Sequence, residues 1–225
     1  MIKKAQCRLK VATMKYFYLF IIYVVGLVIS SLGLALIIKS GLGVGPGDSV
    51  AVGISRHAPI TVGSVMIIAF VILLLVNAWI ERKRPQFESL LPIILRGRTL
   101  DIFLYGTLDH ASFEVWWTQW GIFTLGLVAT AVGIAIYLRT PFPRIPLDHF
   151  MMIMNEKTNQ SKSSVRIFTE SGMALIGFLL GAPVGIGTLI VALLLGPFIQ
   201  AAYQGARPIV RLWSHPQKAK KQAPR

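Results

Sequence analysis

The sequence predicts an all-α fold: a polytopic membrane bundle of six transmembrane helices, built as two inverted three-helix repeats with short broken or re-entrant helices. Three observations lead there. The chain is 54% hydrophobic and 14% charged, with a mean hydropathy of +0.65, too apolar for a soluble domain of 225 residues. Its second half repeats its first at an offset of one hundred residues. Its basic residues fall in alternate gaps between the apolar segments.

The elements follow in order. Residues 1–15 are a basic tail, and 16–108 and 119–205 are the two membrane repeats. Residues 206–225 are a second basic tail. The apolar segments run about 16–38, 62–80, 90–108, 119–138, 167–180 and 185–204, several of them near the roughly 20 residues that cross a bilayer core. The third is the least apolar.

The repeat is legible residue by residue. Gly26-Leu27-Val28 returns as Gly126-Leu127-Val128, Gly33 and Ala35 as Gly133 and Ala135, and Lys39-Ser40 as Arg139-Thr140. Pro46 and Asp48 return as Pro146 and Asp148. After a one-residue shift, Gly97 aligns with Gly196 and Asp101 with Gln200. Three crossings per copy invert the second copy on the first. Residues 48–58 are too short for a full crossing, at about 16 Å of helix, and are expected to form a short or re-entrant helix.

The net charge of +14 suggests nucleic acid, but its distribution argues against it. Nineteen of the 23 Lys and Arg residues lie in residues 1–15, 82–84, 139–166 and 207–225. That pattern places both termini in the cytoplasm and makes the bilayer, not nucleic acid, the partner. Cys7 is the only cysteine, so no disulfide or cysteine metal site forms within one chain. The four histidines have no metal-ligand spacing, and no metal or cofactor is assigned. Gly181 and Gly185 mark a tight outer turn and argue little for a dimer, so a homo-oligomer stays open.

Two clusters could carry chemistry. The first is the duplicated connector, Lys39–Ser49 and Arg139–His149. Its glycines and prolines break the helix, and the half-helices that follow present free N–H groups and a positive dipole end. That end holds an anion or is capped by Asp48 or Asp148, with Lys39 and Arg139 snorkelling nearby. The second is the polar middle of the third segment: Arg96, Gly97, Arg98, Thr99 and Asp101. Arg98 and Asp101, three apart on a helix, are expected to pair. The candidate substrate-binding set is Arg98, Asp101, Lys39, Asp48, Arg139, Asp148 and Gln200. Asn77, Glu170, Thr188 and Gln204 read as interhelical hydrogen-bonding groups.

The stretch Lys39–Ser49, with Gly41-Leu42-Gly43 followed by Pro46-x-Asp48, resembles the YczE/YyaS/YitT-like family of bacterial integral membrane proteins. The likeness covers most of residues 16–205. Gly47 stands where the family often carries an aromatic. The resemblance implies a bacterial cytoplasmic-membrane protein and says little about activity.

Three functions fit the residues. One is a non-enzymatic small-molecule permease or exporter with a midplane site between the repeats, its arginines and lysines favouring an anionic or zwitterionic substrate. Another is a membrane scaffold or regulator acting through the basic tails. The third is an intramembrane aspartyl protease using Asp48 and Asp148, which requires the two carboxylates nearly in contact.

Overall fold

The computed structural model describes residues 2–111, 113–160 and 162–205, without the side chains of 2–13, 15, 148, 162 and 163. The tail at 206–225 and the side chain of Asp148 lie outside the described residues. Among those described, all regular structure is helical.

The first helix, α1 (Ile2–Ser40), is halted by the glycines that follow it. Gly41 and Gly43 take φ of +73° and +150°, open to glycine at little cost. Ser40 Oγ donates to Ile37 O at 2.6 Å, turning the hydroxyl onto the last turn. The next element, α2 (Pro46–His57), opens with proline at its first position, where a missing N–H costs nothing. Then α3 (Val62–Glu81) runs to Arg82, which closes it in a left-handed conformation.

A single 3-10 turn at Phe87–Ser89 leads into α4 (Leu90–Asp101), which continues as a π-helical turn over Ile102–Thr107. The second half holds α5 (Trp116–Leu138), α6 (Pro146–Thr158), α7 (Lys162–Leu179) and α8 (Ile186–Gly205, with Pro197 inside it).

Each apolar segment read from the sequence falls mainly on one of these helices. Among the described residues, four stretches are long and apolar enough to cross a membrane: Tyr16–Ser40, Val62–Glu81, Trp116–Leu138 and Ile186–Gly205. They make the chain a membrane protein. The other two segments, α4 with its π turn and α7, carry charge within their length: Arg96, Arg98 and Asp101 on one, Arg166 and Glu170 on the other.

A glycine-to-glycine seam joins α1 to α5. A methyl placed on Gly26 would lie 2.9 Å from Gly133 O, and one on Gly133 would lie 2.6 Å from Gly26 O. Farther along, Gly33 and Gly126 face each other likewise, at 2.6 and 2.8 Å. Low residue numbers on α1 meet high ones on α5, so the two helices are antiparallel. Such close approach of backbones is how small residues bind membrane helices, where lipid offers no hydrophobic drive.

Around this pair, α1 also packs on α4, and α5 on α8. The short α2 lies against α7 and α3, and α6 against α3 and α7. The buried centre includes Tyr23, Leu27, Leu34, Leu100 and Phe123. Large apolar side chains such as Ile68, Ile72, Leu189 and Leu193 face outward, as a lipid-facing surface requires.

Candidate functional site

The segment after α1 leaves one end of the bundle and returns to it. Leu42 O accepts from Gly187 N–H at 3.0 Å, and Val44 N–H donates to Thr188 Oγ1 at 3.2 Å. The link therefore descends beside the first turn of α8. It needs glycine at 43, where φ is positive and a methyl would come within 2.5 Å of Thr188 N.

From there α2 runs back along α7. Ser49 Oγ lies 3.0 Å from Met173 O, and a methyl on Gly53 would meet Leu180 Cβ at 2.6 Å. At the far end Arg56 Nη1 donates to Gly181 O at 2.6 Å, and His57 Nε2 sits 3.0 Å from Leu180 O. Leu42 and His57 thus both border the turn between α7 and α8, and the start of α2 is held inside the bundle.

Opposite that start stands Arg96. Ser31 Oγ donates to Arg96 O at 3.2 Å, and Thr99 Oγ1 lies 2.9 Å from Ser31 Oγ. These bonds hold α4 level with the glycine seam, near the middle of the apolar length of α1. Gly63 and Gly97 let α3 and α4 touch through backbone, which turns Arg96 inward. Arg96 is only 8% exposed.

The result is a cavity of about 200 Å³. Among the described residues, its charged side chains are Asp48, Arg96, Arg166 and Glu170. Arg96 Nη2 lies 3.9 Å from Asp48 Oδ1, an ion-pair separation but too long for a hydrogen bond. Arg96 Nε is buried with no hydrogen-bond partner among the described residues. By contrast Arg166 Nε donates to Glu170 Oε1 at 2.7 Å, one turn along α7. Gly196 on α8 leaves room for that guanidinium; a methyl there would come 3.3 Å from its Nη1. The first turns of α2 and α6 meet at the cavity, where a methyl on Gly47 would sit 3.2 Å from Leu147 Cδ2.

The residues expected from the sequence separate. Asp48 lines the cavity. Arg98 and Asp101 form no ion pair. Arg98 is exposed, since it stands about 200° around the helix from Arg96. Asp101 turns instead to the start of α3, where Oδ1 accepts from Gly63 N–H at 2.7 Å and Oδ2 from Thr61 Oγ1 at 2.7 Å. Fixed N–H donors at a helix N-terminus satisfy a carboxylate without a cation.

Lys39 Nζ donates to Asp109 O at 3.3 Å, and Arg139 Nε donates to Tyr203 O at 2.7 Å, with its guanidinium 3.9 Å over the Tyr203 ring. Both tie helix ends together. Gln200 is exposed on α8, and Asp148 lies in the first turn of α6. Arg166 and Glu170 join the site although hydropathy and charge patterning point them to other roles. Their signal is the i,i+4 spacing. It is hidden because the fifth apolar run begins near residue 167, while the helix begins at Lys162.

A family of unknown function (DUF6198) matches residues 17–204, which include every residue lining the cavity. The chain belongs to this family. Bacillus subtilis (strain 168) supplies two relatives. The "Uncharacterized protein YyaS" is 34% identical over 183 residues, covering 81% of this chain and 89% of that one. The "Uncharacterized membrane protein YczE" is 28% identical over 175 residues, covering 77% and 80%. An "Uncharacterized protein" of Haemophilus influenzae (strain ATCC 51907 / DSM 11121 / KW20 / Rd) is 29% identical over 174 residues, covering 76% and 77%. No solved structure matches. The likeness to YyaS and YczE therefore covers 81% and 77% of the chain, well beyond Lys39–Ser49.

Proposed function

We propose that the chain is a small-molecule carrier of the bacterial cytoplasmic membrane, with six crossings, both termini cytoplasmic, and a substrate site at mid-depth between two inverted halves. The observation that carries this reading is the charged cavity. Each Arg or Asp at the bilayer centre costs roughly 2.5–3.5 kcal/mol on insertion scales. Four such groups would cost about 10 kcal/mol or more by the same scale. Well-packed apolar residues would hold a bundle together without that cost. Ionisable groups kept at lipid depth and facing a cavity are expected to serve a passing solute.

The inverted arrangement has its own support. Offset by one hundred residues, the pair Gly26–Gly133 becomes Gly126–Gly33, and both pairs are in contact. The packing of α2 on α7 has its counterpart in α6 on α3, and that of α1 on α4 in α5 on α8. Ser40 Oγ bonds to Ile37 O as Thr140 Oγ1 bonds to Tyr137 O. Inverted halves with broken helices meeting near the midplane suit alternating access by rocking one half on the other. The relative YczE is called a membrane protein, which supports a membrane setting and no more.

The test is solute exchange in proteoliposomes loaded with a panel of small carboxylates and amino acids. Flux above that of empty liposomes, lost in Arg96→Gln and Asp48→Asn but kept in Gly121→Ala, is expected. No flux for any solute, or equal flux in all variants, overturns the reading. Cys7, the only cysteine, reports the side of the N-terminus. It should resist an impermeant maleimide in spheroplasts until the membrane is opened.

A further inference from the structure

Granted that carrier reading, we propose that the cavity takes a small zwitterion, such as a short amino acid, with its carboxylate on Arg96 and its ammonium on Asp48. The starting point is a loose ion pair that makes no hydrogen bond. Arg96 Nη2 and Asp48 Oδ1 stand 3.9 Å apart, and both side chains face the cavity. Arg96 Nε has no hydrogen-bond partner among the described residues, and Asp48 accepts no hydrogen bond from them. A buried guanidinium with an unmade bond is a costly arrangement unless something occupies it. A carboxylate matches the guanidinium fork, and an ammonium matches the facing carboxylate.

Charge balance chooses the ligand class. Among the described residues, the cavity's charged side chains are two arginines and two carboxylates, which balance formally. Arg166 and Glu170 already satisfy each other at 2.7 Å. A simple anion would add an unbalanced negative charge beside Asp48, and a simple cation would add a positive one beside Arg96. In a low-dielectric site either imbalance is strongly unfavourable. A zwitterion adds none and inserts one opposite charge between each separated partner. The cavity of about 200 Å³ suits a ligand of a few heavy atoms, since one water occupies about 30 Å³ of liquid.

The experiment titrates the purified full chain in detergent with L-alanine, propionate and ethylammonium, which are similar in size and differ in charge. Binding is read by calorimetry, and labelled alanine and propionate are followed in proteoliposomes. Alanine is expected to bind at least tenfold more tightly than either single-charge probe. Asp48→Asn should lower alanine affinity to the level of propionate while leaving propionate unchanged or tighter. Arg96→Gln should remove the binding of both. Propionate binding and crossing as well as alanine overturns the zwitterion and leaves the carrier standing. None of the three binding or crossing overturns the zwitterion, and absence of flux across the wider solute panel overturns the carrier as well. The comparison on the unaltered chain decides the matter even where Arg96→Gln fails to fold.

Discussion

Replacing Gly133 by alanine tests the seam on which the bundle is built. The new methyl would lie 2.6 Å from Gly26 O and 2.8 Å from Ser30 Cα. A carbon and a carbonyl oxygen settle at about 3.3–3.6 Å even in a favourable C–H···O contact, so the helices must part by most of an ångström. The obstructing atoms are backbone and cannot rotate aside. Overpacking of this kind costs about 1–3 kcal/mol. Alanine's better helix propensity returns up to about 1 kcal/mol. A net loss of about 1–2 kcal/mol would lower the melting temperature by roughly 2–8 °C in a chain of this size.

The control is Gly121→Ala on the same helix, where a methyl meets nothing within 4 Å. It should be neutral or slightly stabilising. Thermal unfolding of both variants in one detergent is the measurement. Because Gly33 and Gly126 share one contact, their double alanine variant should lose less than the sum of the singles. Equal melting temperatures for Gly133→Ala and Gly121→Ala would refute the reasoning.

Other substitutions probe separate parts. Asp101→Ala strips the acceptor from Gly63 N–H and Thr61 Oγ1, and should cost about 1–2 kcal/mol of stability by the scale of helix caps. Asp101→Asn with unaltered flux in proteoliposomes would remove any proton-carrying role for that carboxyl. Gly43→Ala forces a methyl against Thr188 at positive φ, and should lower yield and melting temperature more than Gly41→Ala, where space is open. Glu170→Gln leaves Arg166 without its charge partner inside the bundle. It should destabilise more than Arg166→Gln with Glu170→Gln together, as a double-mutant cycle of melting temperatures would show.

Much of the fold is legible in the sequence because lipid imposes long apolar runs, and glycines and prolines mark where those runs break. The helices at 62–81 and 116–138 fall within a few residues of the segments that hydropathy marks. The break after Ser40 is visible in Gly41, Gly43 and Gly45. What hydropathy cannot give is helix phase. Arg96 and Arg98 are two residues apart and so face nearly opposite ways, and only the Gly63–Gly97 contact decides which is inside. Nor can sequence distinguish Asp101 as a partner for Arg98 from Asp101 as a cap for α3, because the cap depends on a helix end nearly forty residues away. Arg166 passes for a topological charge because the residues at the start of α7 are polar enough to resemble a loop. Asp48 stands out by its place in a Gly- and Pro-rich break, yet its partner Arg96 lies far along the chain, and nothing in the local sequence links the two.

The glycine seam also limits how the molecule can change shape. Two backbones locked carbonyl to Cα cannot slip lengthwise, since each would have to climb over the other's next side chain. They can still tilt about their crossing, near Ser30 and Ser31, as a pair of closed scissors does about its rivet. Arg96 is bonded through its carbonyl to Ser31 at that pivot. Asp48 rides on α2, which is anchored by Arg56 and His57 to the α7–α8 turn. Any tilt of the scissors would thus carry the guanidinium with the rivet and the carboxylate with the α7–α8 turn.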